Sequence, residues 1–474
     1  MNSILQPLKQ GEQYAFEVDL SICTGCKGCV TACQNLNGLT PAESWRTVGV
    51  VESKSGDISQ TITTSCHHCL DPACLKGCPV RAYQKDAVTG IVKHLDDQCI
   101  GCQYCILACP YDAPKWIPEL GIVRKCDMCT DRLEVGEETA CQQGCPNDAI
   151  SIVTKSEAQI KMPSSAMKLP TQVSPEFTFP STGYINGQVS TDSKSLNEER
   201  TAEKGHLPLV LMLVLSQFSV GLWGLSLFLE AQAFLSQVSL AILLAGLASS
   251  VFHLGKPLKS FKAFLGLSSS HLSREVLFFG TYAPLVIVTL LLGQFVALEV
   301  LPPFTLKLLM PLRMIALITG LLGVYSSAKL YQITSRPYWK GDKALLGFPL
   351  SGLILSSAFA LTFSGPAEQR LLLPIILIGS LLWTVLEVQR NNNTKGLLLA
   401  SSKLMSGSLK GYWILQQTFL WFCGILLPIY LLQVEFKSSL AIFTFYGLLG
   451  ATFTERYLFF KAGLGYRMPI GEAG

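Results

Sequence analysis

Cys99-Ile100-Gly101-Cys102-Gln103-Tyr104-Cys105-Ile106-Leu107-Ala108-Cys109-Pro110 decides how the first part of this chain is read. Two residues separate each of the first three thiols, three separate the third from the fourth, and a proline follows. That is the spacing of the bacterial run in which three thiolates hold one iron–sulfur cubane and the fourth ligates its neighbour. Working outward, the same spacing recurs at Cys23, Cys26, Cys29 and Cys33, and two further groups of four with other spacings lie at Cys66, Cys69, Cys74 and Cys78 and at Cys126, Cys129, Cys141 and Cys145. Sixteen of the 17 cysteines are used this way, and four groups predict four [4Fe–4S] clusters. Pro79, Pro110 and Pro146 each follow a fourth cysteine, which argues for a shared role, whereas the first group ends in Cys33-Gln34.

Two other uses of thiols compete. Zinc sites pair Cys-x2-Cys knuckles across a longer segment, and a third thiolate so soon after the second is unusual for them. A disulfide framework needs an oxidising compartment, but Met1 to Leu20 has no apolar signal stretch and contains Lys9, Glu12, Glu17 and Asp19. The expected fold is an α+β, ferredoxin-like, cysteine-rich domain over 1–155, with short strands at Ala15–Val18, Gly90–Val92 and Ala149–Val153 and the clusters as staples.

Composition then changes. The chain has 474 residues, 49% hydrophobic and 15% charged, and the apolarity lies almost wholly after residue 206. Residues 156–205 carry Pro163, Pro170, Pro175 and Pro180 among Ser, Thr, Lys and Glu and read as an exposed linker. Over 206–474 an all-α membrane domain of eight transmembrane helices is expected, near 208–230, 234–254, 276–298, 308–331, 344–364, 371–389, 412–433 and 439–460.

Basic residues orient these spans. Lys256, Lys259, Lys262 and Arg274, Lys329, Arg336, Lys340 and Lys343, Arg390, Lys395, Lys403 and Lys410, and Arg456, Lys461 and Arg467 lie on the side shared with the N-terminus, against Lys307, Arg370 and Lys437 on the other. The positive-inside rule puts the cysteine-rich domain on the cytoplasmic face of the plasma (inner) membrane. Docking to a partner is a second use for the same charges.

A membrane-embedded haem needs facing histidines, and of the six only His253 falls within a span, so no haem is expected. The expected exchangeable substrate is a quinol. His253, closing the second span, and Arg274 with Glu275, opening the third, are its candidate site, since an imidazole beside a carboxylate can relay the protons of quinol oxidation. Plainer readings stand beside these: Ser273 and Glu275 as an N-cap with its first-turn charge, Arg274 as a topology determinant, Arg336 and Arg456 as interface anchors, Arg313 as a snorkelling side chain, and Trp223, Trp383, Trp413 and Trp421 as interfacial or packing residues.

The four groups, with Cys109-Pro110-Tyr111-Asp112-Ala113-Pro114, resemble the iron–sulfur subunit of dimethyl sulfoxide reductase-type molybdoenzymes. Leu207-Pro208-Leu209, His253-Leu254-Gly255-x-Pro257, Leu272-Ser273-x-Glu275, and Arg456 with Phe459 resemble the anchor subunit of that system, so the chain looks like the two fused. Lys259 stands where the family often has arginine, and Thr452 where an acidic residue is expected one turn before Arg456. The resemblance implies nested ligand sets: Cys23, Cys26, Cys29 with Cys145; Cys126, Cys129, Cys141 with Cys33; Cys66, Cys69, Cys74 with Cys109; and Cys99, Cys102, Cys105 with Cys78 beside the membrane. It further implies a wire from quinol, menaquinol by preference, through four clusters to a separate molybdopterin catalytic subunit, with no nucleic-acid partner. Running the wire backward from a formate or sulfur-compound dehydrogenase into quinone is the alternative, and a redox-coupled ion transporter a further one.

Overall fold

The computed structural model describes residues 8–40, 43–53, 56–161, 177–188, 194–195, 201–340, 342–391, 396–434 and 437–466. Contacts divide the chain into two units, the described parts of Met1–Glu199, Leu254–Ser269 and Gly465–Gly474, and those of Arg200–His253 with Ser270–Leu464.

In the first unit the elements are short, because turns and thiols recur every few residues. They run β1 (Glu12–Asp19), α1 (Gly28–Asn37), β2 (Thr47–Glu52), β3 (Ser59–Thr64), α2 (Ala73–Gly77), β4 (Tyr83–Lys85), β5 (Val92–His94), α3 (Tyr104–Ala108), β6 (Lys115–Ile117), β7 (Ile122–Arg124), α4 (Thr130–Glu134), α5 (Ala140–Gln143), β8 (Ile150–Ser156), α6 (Glu157–Lys161), β9 (Gly183–Ile185) and β10 (Lys194–Ser195). β1 pairs antiparallel with β8, in the register Phe16 to Ile152, and parallel with β9. β2 joins β3 and β10, and β4 with β5 and β6 with β7 are hairpins. The first and third expected strands form, as β1 and β8, whereas of Gly90–Val92 only Val92 lies in a strand, Gly90 and Ile91 falling in the connection that leads into β5.

The expected linker is corrected in part. β9 and β10 lie within 156–205 yet add to the sheets of this unit, and Tyr184 is buried beside Val18, Val51 and Ile62. An aromatic on a strand-forming Gly183-Tyr184-Ile185 run gains more from that core than the polar residues around it gain from solvent. Pro163, Pro170 and Pro175 lie outside the described residues.

The second unit is helical: α7 (Leu207–Leu225), α8 (Gln232–Val251), α9 (His271–Ala297), α10 (Leu309–Gln332), α11 (Asp342–Leu361), α12 (Pro366–Asn391), α13 (Gly396–Ser406), α14 (Lys410–Trp421), α15 (Leu427–Gln433) and α16 (Ser438–Lys461). A π-helical turn, Phe422–Leu426, joins α14 to α15 in one continuous rod. Among the described residues seven helices are long and apolar enough to cross a membrane, the last being Lys410–Gln433. The eighth expected span corresponds to α16, whose end carries Glu455, Arg456 and Lys461. α7 packs on α8 and α11, α9 on α10, and α16 on α14 and α11.

Hydroxyls and small residues join these helices, as they must where lipid offers no hydrophobic drive. Ser219 and Ser239 bond each other at 3.1 Å and both meet the Tyr282 hydroxyl at 3.3 Å. A Cβ on Gly221 of α7 would run into Ser356 Oγ and fall 2.8 Å from Gly352 O of α11, so that crossing needs glycine. Gly293 of α9 faces open space. Gly221→Leu is therefore expected to destabilise the helical unit by about 1–3 kcal/mol, read as a lower thermal midpoint in detergent, while Gly293→Leu leaves the midpoint in place.

Candidate functional site

The fourth cysteines show what the three prolines do. In Cys78-Pro79-Val80-Arg81-Ala82, Cys109-Pro110-Tyr111-Asp112-Ala113 and Cys145-Pro146-Asn147-Asp148-Ala149 the residue before alanine is left-handed, at φ 55° for Arg81, 54° for Asp112 and 49° for Asp148. Each turn brings the alanine N–H back to the thiol: Ala82 to Cys78 Sγ at 3.2 Å, Ala149 to Cys145 Sγ at 3.3 Å, and Ala113 to Cys109. Proline sets φ for the start of the turn, and an amide aimed at sulfur stabilises the thiolate. Cys33, lacking the proline, sits inside α1, and its Sγ takes the Asn37 side-chain amide at 3.7 Å instead.

The Cys-x2-Cys loops repeat this logic. Gly25 and Lys27, Gly101 and Gln103, and Met128 and Cys129 are all left-handed, a backbone form that turns successive amides into an anion cradle. Gly101 N–H reaches Cys99 Sγ at 3.4 Å and Met128 N–H reaches Cys126 Sγ at 3.4 Å.

The fold also brings distant groups together. Cys69 lies within electrostatic reach of Cys66, Cys74 and Cys109; Cys105 of Cys78, Cys99 and Cys102; Cys33 of Cys129 and Cys141; and Cys29 of Cys145. Cys66, Cys69, Cys74 and Cys109 line one cavity. All seventeen cysteines are free thiols. Burial, reinforced by neighbouring thiols, pushes Cys33 and Cys102 up to about 12. Thiolate ligands, inward amides and mutual approach together fit iron–sulfur clusters. Among the described residues no three His, Cys, Asp or Glu side chains converge closely enough for a single metal ion.

Leu254–Ser269 belongs to this unit. Lys256 N–H bonds Ile100 O at 3.0 Å, Gly266 N–H bonds Pro79 O at 2.8 Å, and Lys259 Nζ bonds Asp97 O at 2.8 Å. Gly101 and Gly255 touch backbone to backbone, and a Cβ on Gly101 would lie 2.9 Å from Gly255 Cα. Leu254 packs into the core that contains Cys78, Cys99 and Cys105.

In the helical unit His253 follows the end of α8, its ring 5.4 Å from that of His206, a residue that no sequence motif marks. Glu275 is buried in α9 and accepts a hydrogen bond from Ser327 of α10. Arg274, in the first turn of α9, bonds through its backbone N–H to Ser270 O at 3.3 Å.

Two arginines differ from expectation, and a third is buried with partners of its own. Arg313 does not snorkel: it is 6% exposed, and its guanidinium reaches Ser226 Oγ at 2.9 Å and Ser236 Oγ at 3.1 Å over the Trp223 ring. Arg456 is no surface anchor but 1% exposed, bonded to Ser351 Oγ at 2.6 Å and Gln217 Oε1 at 2.9 Å and paired with Glu455. Glu455, with Glu387 in the same pocket, supplies the carboxylate that Thr452 lacks. Arg336 stacks on Trp339 and pairs with Glu203 at 3.4 Å. Buried cations persist in apolar surroundings only with such partners. Trp223 and Trp383 are packing residues, and Trp421 is exposed on the helix surface.

Fold and site define a class: an iron–sulfur electron-transfer unit carried by a multi-pass helical membrane unit. Residues 59–155 match the 4Fe-4S dicluster domain and 203–464 the DMSO reductase anchor subunit (DmsC). The N-terminal part is 41% identical over 148 residues to the B subunit of the anaerobic dimethyl sulfoxide reductase of Escherichia coli K12, covering 29% of this chain and 72% of that subunit. It is 36% identical over 172 residues to the corresponding B subunit of Haemophilus influenzae, covering 34% and 82%. It is 37% identical over 162 residues to the formate dehydrogenase-O iron-sulfur subunit of E. coli K12, covering 30% of this chain and 54% of that subunit, about half its length. The chain belongs to the DMSO reductase anchor subunit family, with a 4Fe-4S domain fused ahead of the anchor.

His206 gives a pH test. It lies just before α7, and burial, then the charges of His253, Arg336 and Lys204, lower it from 6.5 to about 4. The unfolded imidazole binds a proton below about 6.5 while the folded one stays neutral, so stability is full above that pH and is lost as pH falls toward 4. A thermal midpoint that drops across this window, and drops less in His206→Phe, is the expected result.

Proposed function

We propose that this protein oxidises a quinol, menaquinol by preference, at the membrane and passes single electrons to a separate molybdopterin catalytic subunit. The clusters supply one-electron stepping stones. Cys99, Cys102, Cys105 and Cys78 hold the one beside the membrane; Cys66, Cys69, Cys74 and Cys109 the next; Cys126, Cys129, Cys141 and Cys33 the third; and Cys23, Cys26, Cys29 and Cys145 the one facing the partner. The observation that carries this order is Leu254. It sits in the core around Cys78, Cys99 and Cys105, and the residue before it is His253, the candidate quinol ligand.

His253 takes a proton as the quinol is oxidised, and Glu275 with Arg274 completes the site. In this reading α16 serves as the eighth span, and the excess of basic residues in the connections on the side shared with the N-terminus supports a cytoplasmic iron–sulfur unit. Membrane lipid and the quinone pool are the remaining partners. The anchor match favours flow from quinol toward a reductase. The likeness to a formate dehydrogenase subunit supports the reverse reading, from a dehydrogenase into quinone.

His253→Ala is expected to slow quinol oxidation by roughly 10²-fold with cluster signals intact; parent-rate oxidation removes the assignment. Cys102→Ser should change one paramagnetic resonance signal and stop quinol-dependent turnover, and unchanged spectra would refute its ligand role. A reporter fused after Gly474 should be active in the cytoplasm.

A further inference from the structure

Among the described residues of the iron–sulfur unit two full positive charges are buried, and neither helps hold the chain through an ion pair with another of these residues. Arg46, 2% exposed, precedes β2, and Lys125, 3% exposed, follows β7. Among the described residues neither pairs with a carboxylate. Arg46 donates to Thr63 Oγ1 at 3.2 Å and Ser65 Oγ at 3.0 Å and lies 4.7 Å from the Phe16 ring centroid. Lys125 donates to Cys126 O at 2.8 Å and to Val92 O. Neutral acceptors do not offset the cost of taking a cation out of water, so the compensating anion must be something else.

Their neighbours identify it. Thr63 Oγ1, bonded to Arg46, also lies 3.4 Å from Cys29 Sγ, and the guanidinium reaches Cys33, Cys126 and Cys141 as well. Arg46 therefore stands at the junction of the Cys29 and Cys33 quartets. Lys125 lines the cavity of Cys66, Cys69, Cys74 and Cys109, while its own chain neighbour is Cys126. It stands at the next junction. At the third, beside Cys74, Cys78 and Cys105, is the neutral phenol of Tyr83. Only the Cys33, Cys126, Cys129 and Cys141 quartet is flanked by both cations. Opposing them is the half-buried Asp127, and half-buried Lys85 adds charge at Cys69 O, 3.2 Å away.

We propose that Arg46 and Lys125 are positioning residues that raise the reduction potential of the cluster held by Cys33, Cys126, Cys129 and Cys141, making it the electron well of the wire. This rests on the ligand sets given under the proposed function. A cluster on four thiolates is a net anion and becomes more so when it is reduced by one electron, which the neighbouring cluster gives up and is thereby oxidised. A fixed cation in a low-dielectric site favours the more negative form. No proton is needed, so the effect persists across neutral pH.

The test uses the full chain in anaerobic membranes, with each cluster's signal followed by paramagnetic resonance during a redox titration. Cys126→Ser identifies the flanked cluster's signal. Arg46→Gln and Lys125→Met should each move that signal to lower potential, with iron content at the parent level. Arg46→Lys and Lys125→Arg should restore most of the shift, which a purely packing role would not do. Unmoved potentials at full iron, or equal shifts in the charge-keeping variants, overturn the proposal. So does loss of iron in both neutral variants, which would make the cations structural. If Cys126→Ser leaves every signal unchanged, the ligand sets themselves fail, a separate outcome.

Discussion

The N-terminal unit depends on one recurrent interaction, a backbone N–H turned back onto a cysteine sulfur through a left-handed residue. Cys78, Cys109 and Cys145 all receive it from an alanine four positions on, after proline has begun the turn. The left-handed residues of the Cys-x2-Cys loops do the same from the other side. Apolar burial is too thin here to hold such loops alone, since the cores are small and several of their buried residues are the thiols themselves. The ligand geometry and the fold are consequently one constraint, as is usual for domains too small to build a large apolar core.

In the helical unit the constraint is polar satisfaction. Arg313, Arg336 and Arg456 lie within the bundle, each wrapped by hydroxyls, a carboxylate or an aromatic face. Ser and Gly at the crossings let the helices approach closely enough for those bonds to form. The same economy explains why Glu455 can replace a carboxylate at position 452: what Arg456 needs is a partner within reach, and an adjacent residue supplies it.

Much of this is legible in the order of residues because the signals are local. Cysteine spacing and prolines mark the iron–sulfur chemistry, apolar runs mark the helices, and Gly90 and Ala149 bound their strands. The misses share a cause. Arg313 and Arg456 look like any membrane-edge arginine in sequence, and only the neighbours contributed by α7, α8 and α11 show them to be interior. Tyr184 lies in a stretch whose average composition is polar, and a single aromatic outweighs that average once β1 offers an open edge. His206 carries no motif. Its significance is its distance to His253, 5.4 Å between ring centroids at the ends of α7 and α8.

From residue order alone come the ligand chemistry, the two-part organisation and the approximate helix count, because each follows from spacing along the chain and from the length of an apolar run. Which thiols approach one another, and where Arg46 and Lys125 stand among them, was decided by tertiary structure. Those relations join residues far apart in the chain, and the electrostatic energy of a buried charge depends on distance through space and on the water excluded around it, neither of which is written in the order of residues.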